Sequence, residues 1–371
     1  MTQSPSGQFL RTSGLVVLAM GAIFAADTFL AKTEAKESRI ESARLFALGQ
    51  SLLAEGHNAD AVDRFKDALE IERGNRDYQR ALAQAQLAAG QTADAEATLD
   101  DVLLNDSNDG TANLLMGRVL VKDGRTREAI SYYHRAVFGQ WKDDAEGNRL
   151  KVRFELIDLL AQQDSKDELL AELLAVQDQM PDDAATRLRA GRLFLIAGSP
   201  ARAADTFRTV LKAQPKAQPI SAEAYAGLGE AALETNDYRS AQSDFQSAVE
   251  LNPGDPTLAK RLDLASRALD LDPAVRGIGA AERFRRSQVL VEMTLEAASC
   301  LGPNPPAALQ QLFDDARKAL KERAGTAAQD GATETNLDLA GELWRARRSG
   351  CQPPPDPDDA LGLVLAKTAA R

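Results

Sequence analysis

Glycine recurs in this chain at a fixed interval, and that interval limits what the chain can fold into. Gly56, Gly90 and Gly124 are each 34 residues apart. The same step separates the small residues Gly49, Ala83 and Gly117, the alanines Ala61, Ala95 and Ala129, and the large residues Phe65, Leu99 and Tyr133. Because unrelated helices have no reason to share one register, the period predicts a stack of equivalent helix-turn-helix units.

Within one unit, small and large residues are placed as two closely packed helices require. In the first unit, residues 42–75, Gly49 lies on the packing face of a predicted helix A. Gly56 follows in the turn, where a residue that is free to adopt positive φ costs least. Helix B then brings Ala61 and Phe65 to one face, since residues three, four and seven apart share a helix face. Small residues let the backbones approach, and the phenylalanine fills the remaining space.

These small and large positions resemble those of the tetratricopeptide repeat family. The resemblance covers 42–271 as six units, of which the fourth, 151–183, is degenerate because Asp158 takes a usual small position. Residues 256–271 are predicted to be the helix that closes the open end. The resemblance implies an all-α solenoid, and a composition with 44% hydrophobic but only 5% aromatic residues suits one. An irregular helical bundle rich in Ala and Leu is the alternative.

Beyond the repeats, residues 274–371 are predicted to form a small helical domain. It has one helix over 280–300, a second after 306, a loop over 324–335, a third helix over 337–348 and a last short helix. The two cysteines of the chain, Cys300 and Cys351, each follow a predicted helix. In an exported protein two cysteines indicate one disulfide. The alternative is two buried free thiols, which a cytoplasmic location would favour.

The N-terminal segment, residues 1–31, is predicted to be a signal or membrane anchor. Thr12–Ala26 carries no charge and follows Arg11, and 12–31 is about 20 residues long, about the length of a spanning helix. The expected state is an uncleaved single-pass anchor with an extracytoplasmic body. A cleaved signal is the alternative, and the Lys/Arg count on the two sides of the segment opposes export of the body.

Charge and residue chemistry exclude several classes of function. The formal net charge is −11, and basic residues do not alternate with aromatic ones, which argues against nucleic-acid binding and against a broad grip on anionic lipid. The two histidines, His57 and His134, are predicted to be solvated in the repeats. No phosphate loop, nucleophile motif or metal-ligand spacing is apparent, so no catalytic, cofactor or metal residues are expected.

The resemblance also implies a binding face, because helix A lines the inner surface of such solenoids. Polar residues occupy the inner register, and together they form a candidate stripe for an acidic or extended peptide. The members of this candidate face are Gln84, Arg118, Arg192 and Glu230, with Arg80 and Lys122 beside them. Alternatively, these residues are scattered solubilising charges.

These observations favour a non-enzymatic, membrane-anchored repeat scaffold that binds other proteins at a bacterial cell envelope. An assembly or biogenesis factor that presents substrates to a membrane enzyme complex is the alternative class. An enzyme with a site in 274–371 is a third, which a polar pocket around Trp344 would indicate. The partner, the pathway and the oligomeric state do not follow from these residues.

Overall fold

The computed structural model is all-α over the residues that it describes, which are 5–181, 183–213, 219–302, 306–323, 329–352 and 359–369. Most residues before 27, and 329–330, are described by their backbone alone. The chain divides into two compact units, an N-terminal unit of Met1–Gln163 and a C-terminal unit of Asp164–Arg371. The prediction of an α-solenoid built from helix pairs is confirmed.

The N-terminal unit begins with one continuous helix, α1, Pro5–Ala54. Its described side chains before Ser42 are exposed, and buried side chains begin at Ser42, in the part that is helix A of the first repeat. For most of the predicted anchor, residues 12–31, the structure describes the backbone but not the side chains. Within the part of the chain that was described, no helix is both long enough and apolar enough to cross a membrane.

Six further helices complete the N-terminal unit, and within this unit each packs mainly against its neighbours in sequence. The turns within the three repeats have the predicted left-handed residue, since Gly56, Gly90 and Gly124 have φ of 83°, 80° and 76°. The helices are α2, Asn58–Ile71; α3, Arg76–Ala88; α4, Thr92–Asn105; α5, Gly110–Lys122; α6, Thr126–Phe138; and α7, Ala145–Gln162.

Helix A and helix B approach closely at the small residue of each pair. A Cβ atom built on Gly49 would lie 2.7 Å from Cε1 of Phe65, whose side chain is fully buried. In the sixth repeat a Cβ on Gly229 would lie 2.7 Å from Cζ of Phe245. Any larger residue at these two positions would push the helices apart, which explains why small and large residues recur together.

The C-terminal unit continues with helix pairs of the same kind. The turn before its first helix has Asp164 at φ 54°, and the next two turns have Gly198 at 67° and Asn236 at 57°. Asp and Asn tolerate this conformation better than other non-glycine residues, so the degenerate fourth repeat keeps its turn without glycine. The repeat helices of this unit are α8, Lys166–Val176; α9, Ala184–Ile196; α10, Pro200–Ala213; α11, Ile220–Glu234; α12, Tyr238–Leu251; and α13, Pro256–Leu271.

Four helices follow, and they share one hydrophobic core with the last repeat. This core joins Phe245 on α12 and Ala265 on α13 to Trp344 and Val364. A boundary near 271–274 therefore does not coincide with a break in the core. Helix α13 does not end the stack with a solvated face, because α17 packs against it. The four helices are α14, Ala280–Ala297; α15, Ala307–Ala319; α16, Gln329–Gly350; and α17, Ala360–Ala369.

Helix α16 corrects one sequence prediction. Residues 329–335 belong to this helix and not to a loop, while 324–328 lie outside the described residues. The early turns of α16 pack through polar side chains, since Thr333 and Asn336 are buried and Asn336 donates a hydrogen bond to Ser287 Oγ at 3.0 Å. A buried polar pair of this kind is stable because its hydrogen bond replaces the lost water.

The predicted disulfide is confirmed. Cys300 and Cys351 are bonded, with their Cα atoms 5.9 Å apart and a sequence separation of 51. Cys300 follows α14 and is exposed, whereas Cys351 follows α16 and is buried. The bond therefore ties together the ends of two helices that also pack along their length.

Candidate functional site

The candidate face of the N-terminal unit is held by ion pairs between neighbouring helices. Arg118 on α5 forms a two-point bridge to Glu155 on α7, with Nε–Oε2 at 3.0 Å and Nη2–Oε1 at 2.5 Å. Tyr133 donates its hydroxyl to the same carboxylate at 3.1 Å. Burial, and next the charge of Glu155, raise the pKa of Tyr133, while the hydrogen bond that Arg118 donates to Glu155 raises the pKa of Arg118. Arg118 is thus a bridging residue between repeats.

Arg80 on α3 has a similar role. Its guanidinium bridges Asp77 on the same helix and Asp109, which precedes α5 and is only 5% exposed. Asp77 also accepts a hydrogen bond from Lys142 Nζ at 2.9 Å, and this bond lowers the pKa of the Asp77 carboxyl. Three segments of the N-terminal unit are therefore joined by one charge network.

The other two candidate residues of this unit lie at the surface. Lys122 donates from Nζ to the carbonyl oxygen of Leu87 at 3.0 Å. Gln84 is exposed and makes no hydrogen bond to any described residue. Gln84 stands one period after Gln50, which is also exposed, and one period before Arg118. The structure thus presents polar side chains in the predicted register on successive A helices of this unit.

In the C-terminal unit the candidate residues are also paired. Arg192 on α9 contacts Glu223 on α11, with Nη1–Oε2 at 2.9 Å. Glu230 on α11 accepts two hydrogen bonds from Arg261 on α13, each at 2.6 Å. Each pair connects the A helix of one repeat to the A helix of the next.

These ion pairs bear on the interpretation of the candidate face as a surface of free positive charge. The three arginines all pair with carboxylates, and for Arg118 and Arg192 the carboxylate belongs to the A helix of the next repeat. The side chains of Arg118 and Arg192 nevertheless stay 41% and 55% exposed. Ion pairs at such exposure contribute only about 0–1 kcal/mol, so an acidic ligand that offers equivalent oxygens can compete for these guanidinium groups.

The partner residues escaped sequence reasoning, although a spacing signal points to them. Opposite charges stand 29–31 residues apart in several pairs, a little less than one repeat. The two side chains of each pair therefore lie on or just before corresponding helices of adjacent repeats, displaced along the helix axis by about one turn. The pairs with this offset are Arg76–Asp106, Arg80–Asp109, Glu96–Arg125, Arg192–Glu223 and Glu230–Arg261.

Groups suited to metal or acid–base chemistry are dispersed. Among the described residues, no three His, Cys, Asp or Glu side chains gather where they could hold a metal ion. His57 is exposed in a turn and His134 is half-buried on α6. Trp344 is buried in the hydrophobic core of the C-terminal unit, which is the position of a packing residue.

Two family models match this chain, and both describe a tetratricopeptide repeat. One covers residues 52–119, and the other covers 158–218 and 188–256 in overlapping stretches. These segments coincide with the helix pairs and turn residues described above. No match was found among curated protein sequences.

Solved structures with a similar arrangement of helices include three repeat proteins. YrrB, described as having an unusual peptide-binding site, is 20% identical, with 53% of this chain and 95% of YrrB covered and a TM-score of 0.42. PilF of Pseudomonas aeruginosa is 20% identical, with 61% and 97% covered and a TM-score of 0.41. A repeat protein of Cytophaga hutchinsonii is 14% identical, with 79% and 98% covered and a TM-score of 0.43. At these values the likenesses do not indicate a function.

Proposed function

This chain is a tetratricopeptide-repeat protein, and we propose that it is a non-catalytic scaffold that binds protein or peptide segments at the bacterial cell envelope. Stacked helix pairs of this family provide extended surfaces for other proteins. The observation that carries the proposal is that adjacent residues of an A helix differ in burial. Gly49 and Ala83 are buried against helix B, while Gln50 and Gln84, the residues directly after them, are exposed.

An extended segment with carboxylates suits the candidate face. Guanidinium groups bind carboxylates through two parallel hydrogen bonds, and Arg118 already shows this geometry with Glu155. A ligand carboxylate would take the place of an internal carboxylate rather than fill an empty site. Such an exchange adds little net charge energy, so affinity would depend on many contacts along several repeats.

An extracytoplasmic location is also part of the proposal. The disulfide between Cys300 and Cys351 supports it, because such bonds persist in oxidising compartments and are rare in the cytosol. The uncharged sequence Thr12–Ala26 after Arg11 supports an export segment or anchor. Protease added to intact spheroplasts should therefore digest the repeats; protection until the membrane is broken would contradict this location.

A crosslinking pull-down from intact membranes tests the binding function. The informative variant is Arg118→Glu with Arg192→Glu, which reverses one cation in each unit. We expect the dominant crosslinked partner to be lost. Many partners of comparable abundance, unaffected by the reversal, would instead indicate an assembly factor that handles several substrates.

Charge-swapped variants supply the matched control. Arg118→Glu combined with Glu155→Arg, and Arg192→Glu combined with Glu223→Arg, keep each internal pair but exchange its two ends. If partner binding needs a cation at the A-helix position, the swapped protein stays defective although its stability returns. Recovery of binding in the swapped protein would show that the pairs act only by holding the repeats together.

A further inference from the structure

A large cleft lies at the junction of the last repeat and the C-terminal helices. It has a volume of about 680 Å³, within the range of pockets that hold ligands. Its walls are the turn before α12, the end of α13, the strap Asp272–Gly277 after α13, and Lys367 on α17. All of these elements belong to the C-terminal unit.

The carboxylates in this cleft already have partners. Asp272 is 1% exposed, accepts a hydrogen bond from the backbone N–H of Ala274 at 2.8 Å and forms an ion pair with Lys367 at 2.6 Å. Asp237 caps α12 and accepts from the Ser240 N–H at 3.2 Å and the Ser240 hydroxyl at 2.7 Å. Neither aspartate is therefore placed to neutralise a further cation.

Two arginines at the cleft have donors to spare. Arg239 is exposed and donates once, from Nη2 to the carbonyl oxygen of Arg276 at 3.3 Å. The exposed Arg276 side chain makes no hydrogen bond or ion pair with any described residue. Arg118, Arg192 and Arg261, by contrast, are all matched with carboxylates. Within an acidic protein, these two guanidinium groups form a local site for anions.

A second hollow adjoins the strap on its other side. It has a volume of about 410 Å³, and its lining includes two arginines, Arg276 and Arg283, and one carboxylate, Glu334 on α16. Arg276 borders both hollows. A ligand that follows both hollows has to be extended and several residues long.

The geometry points to a second binding site in this protein, a cleft around Arg239 and Arg276 that takes the side-chain carboxylates of an acidic peptide segment from a partner protein. The two guanidinium groups bind the carboxylates, while Lys367 stays paired with Asp272. The site does not depend on the candidate face, because it uses none of the same residues.

Fluorescence anisotropy with a labelled hexaglutamate peptide and the purified full chain tests the site. Arg239→Glu with Arg276→Glu should weaken binding at least ~10-fold, since two bidentate contacts are lost. Arg285→Glu with Arg317→Glu is the matched control, because both residues are exposed in the same unit and the change of net charge is identical. The control should bind within ~2-fold of the parent protein, as expected for charges remote from a site.

Further ligands and variants test whether the cleft selects peptide carboxylates over other ligands. Hexaglutamine should not bind. Inorganic phosphate should not displace hexaglutamate when the two ligands supply the same concentration of negative charge. Binding of hexaglutamine, displacement by phosphate, or equal losses in the test and control variants would each overturn the assignment. Arg276→Gln, which is too mild to disturb folding, should give an intermediate loss. Arg118→Glu with Arg192→Glu should bind hexaglutamate in this cleft as before, so this outcome is separate from that of the pull-down.

Discussion

The repeats of the N-terminal unit and the helices around the last repeat follow different packing rules. In α1–α7 each helix packs mainly against its neighbours in sequence. Around α12 and α13, residues far apart in sequence meet, as when Tyr238 donates to the carbonyl oxygen of Leu363 at 3.0 Å, 125 residues away. The first arrangement distributes stability over local interfaces. The second makes one cooperative core. An equivalent substitution should therefore destabilise only nearby helices in the N-terminal unit, but many helices together around the last repeat.

The largest expected effect comes from removing one buried ring in each region. Phe65→Ala and Phe245→Ala each delete a fully buried ring that packs on a glycine, at a cost of about 3–5 kcal/mol. Hydrogen exchange measured by mass spectrometry should rise only in α1–α3 for the first variant. For the second it should rise from α11 to α17 together. Confinement of the second effect to α11 and α12 would break the comparison.

Loss of the disulfide should have the second-largest effect on stability. Cys300→Ser with Cys351→Ser, or reduction of the native bond, removes a cross-link over 51 residues and should cost the C-terminal unit about 2–4 kcal/mol. Calorimetry should show a lower Tm for this unit only. The double variant should not respond to reductant. Freshly isolated, unreduced protein should contain no reactive thiols, and detection of thiols would contradict the pairing.

A smaller effect is expected at the ion pair between α17 and α13. Lys367→Met leaves Asp272, which is 1% exposed, without its cation. Because Lys367 is partly exposed, the cost should be about 2 kcal/mol rather than the larger cost of breaking a fully buried pair. Urea unfolding measures the change, and limited proteolysis should cut near α17 earlier. Adding Asp272→Asn should recover part of the loss; no recovery would mean that the pair is not coupled.

The smallest effect concerns pH and a half-buried carboxyl in the last repeat. Burial, opposed by Arg208 and assisted by Asp237, raises the pKa of Asp244 to about 6, above the value of about 3.9 for an unfolded aspartate. The native state therefore holds the proton more tightly, and its stabilising effect is full below about pH 4 and lost as the pH rises through about 6.

Asp244→Asn, which stays neutral, should consequently be more stable than the parent protein at pH 8, by about 1 kcal/mol after allowance for solvent screening. At pH 4 the two proteins should be equal in urea unfolding. Asp63→Asn, at an exposed position on α2, is the control and should show little change at either pH. The same difference for Asp244→Asn at pH 4 and pH 8 would show that the carboxyl does not titrate as described.

The repeats were predictable because their geometry leaves a periodic trace. Gly56, Gly90 and Gly124 marked three turns, and all three adopt positive φ. The degenerate fourth repeat was less visible, since Asp164 takes the turn position that glycine occupies in other repeats; Asn236 takes this position in the sixth repeat. A search for any residue tolerant of that backbone, rather than for glycine alone, finds all six turns.

The C-terminal core was less predictable because its contacts have no period. Nothing in the sequence indicates that α17 covers α13. The start of α16 resembles a loop because its inward residues Thr333 and Asn336 are polar, and their burial depends on Ser287 on another helix. Likewise, the register located Arg118 but not its partner Glu155, which lies beyond a longer connection between α6 and α7.

The covering of α13 by α17 also sets an order of events during synthesis. The first repeats need only their immediate neighbours, so they can form while the ribosome is still translating. The Tyr238 hydroxyl and the Asp272 carboxylate obtain the Leu363 carbonyl and the Lys367 ammonium only when α17 has left the exit tunnel. Until then the apolar end of the stack is uncovered. This end of the nascent chain is therefore where a chaperone would have to act last.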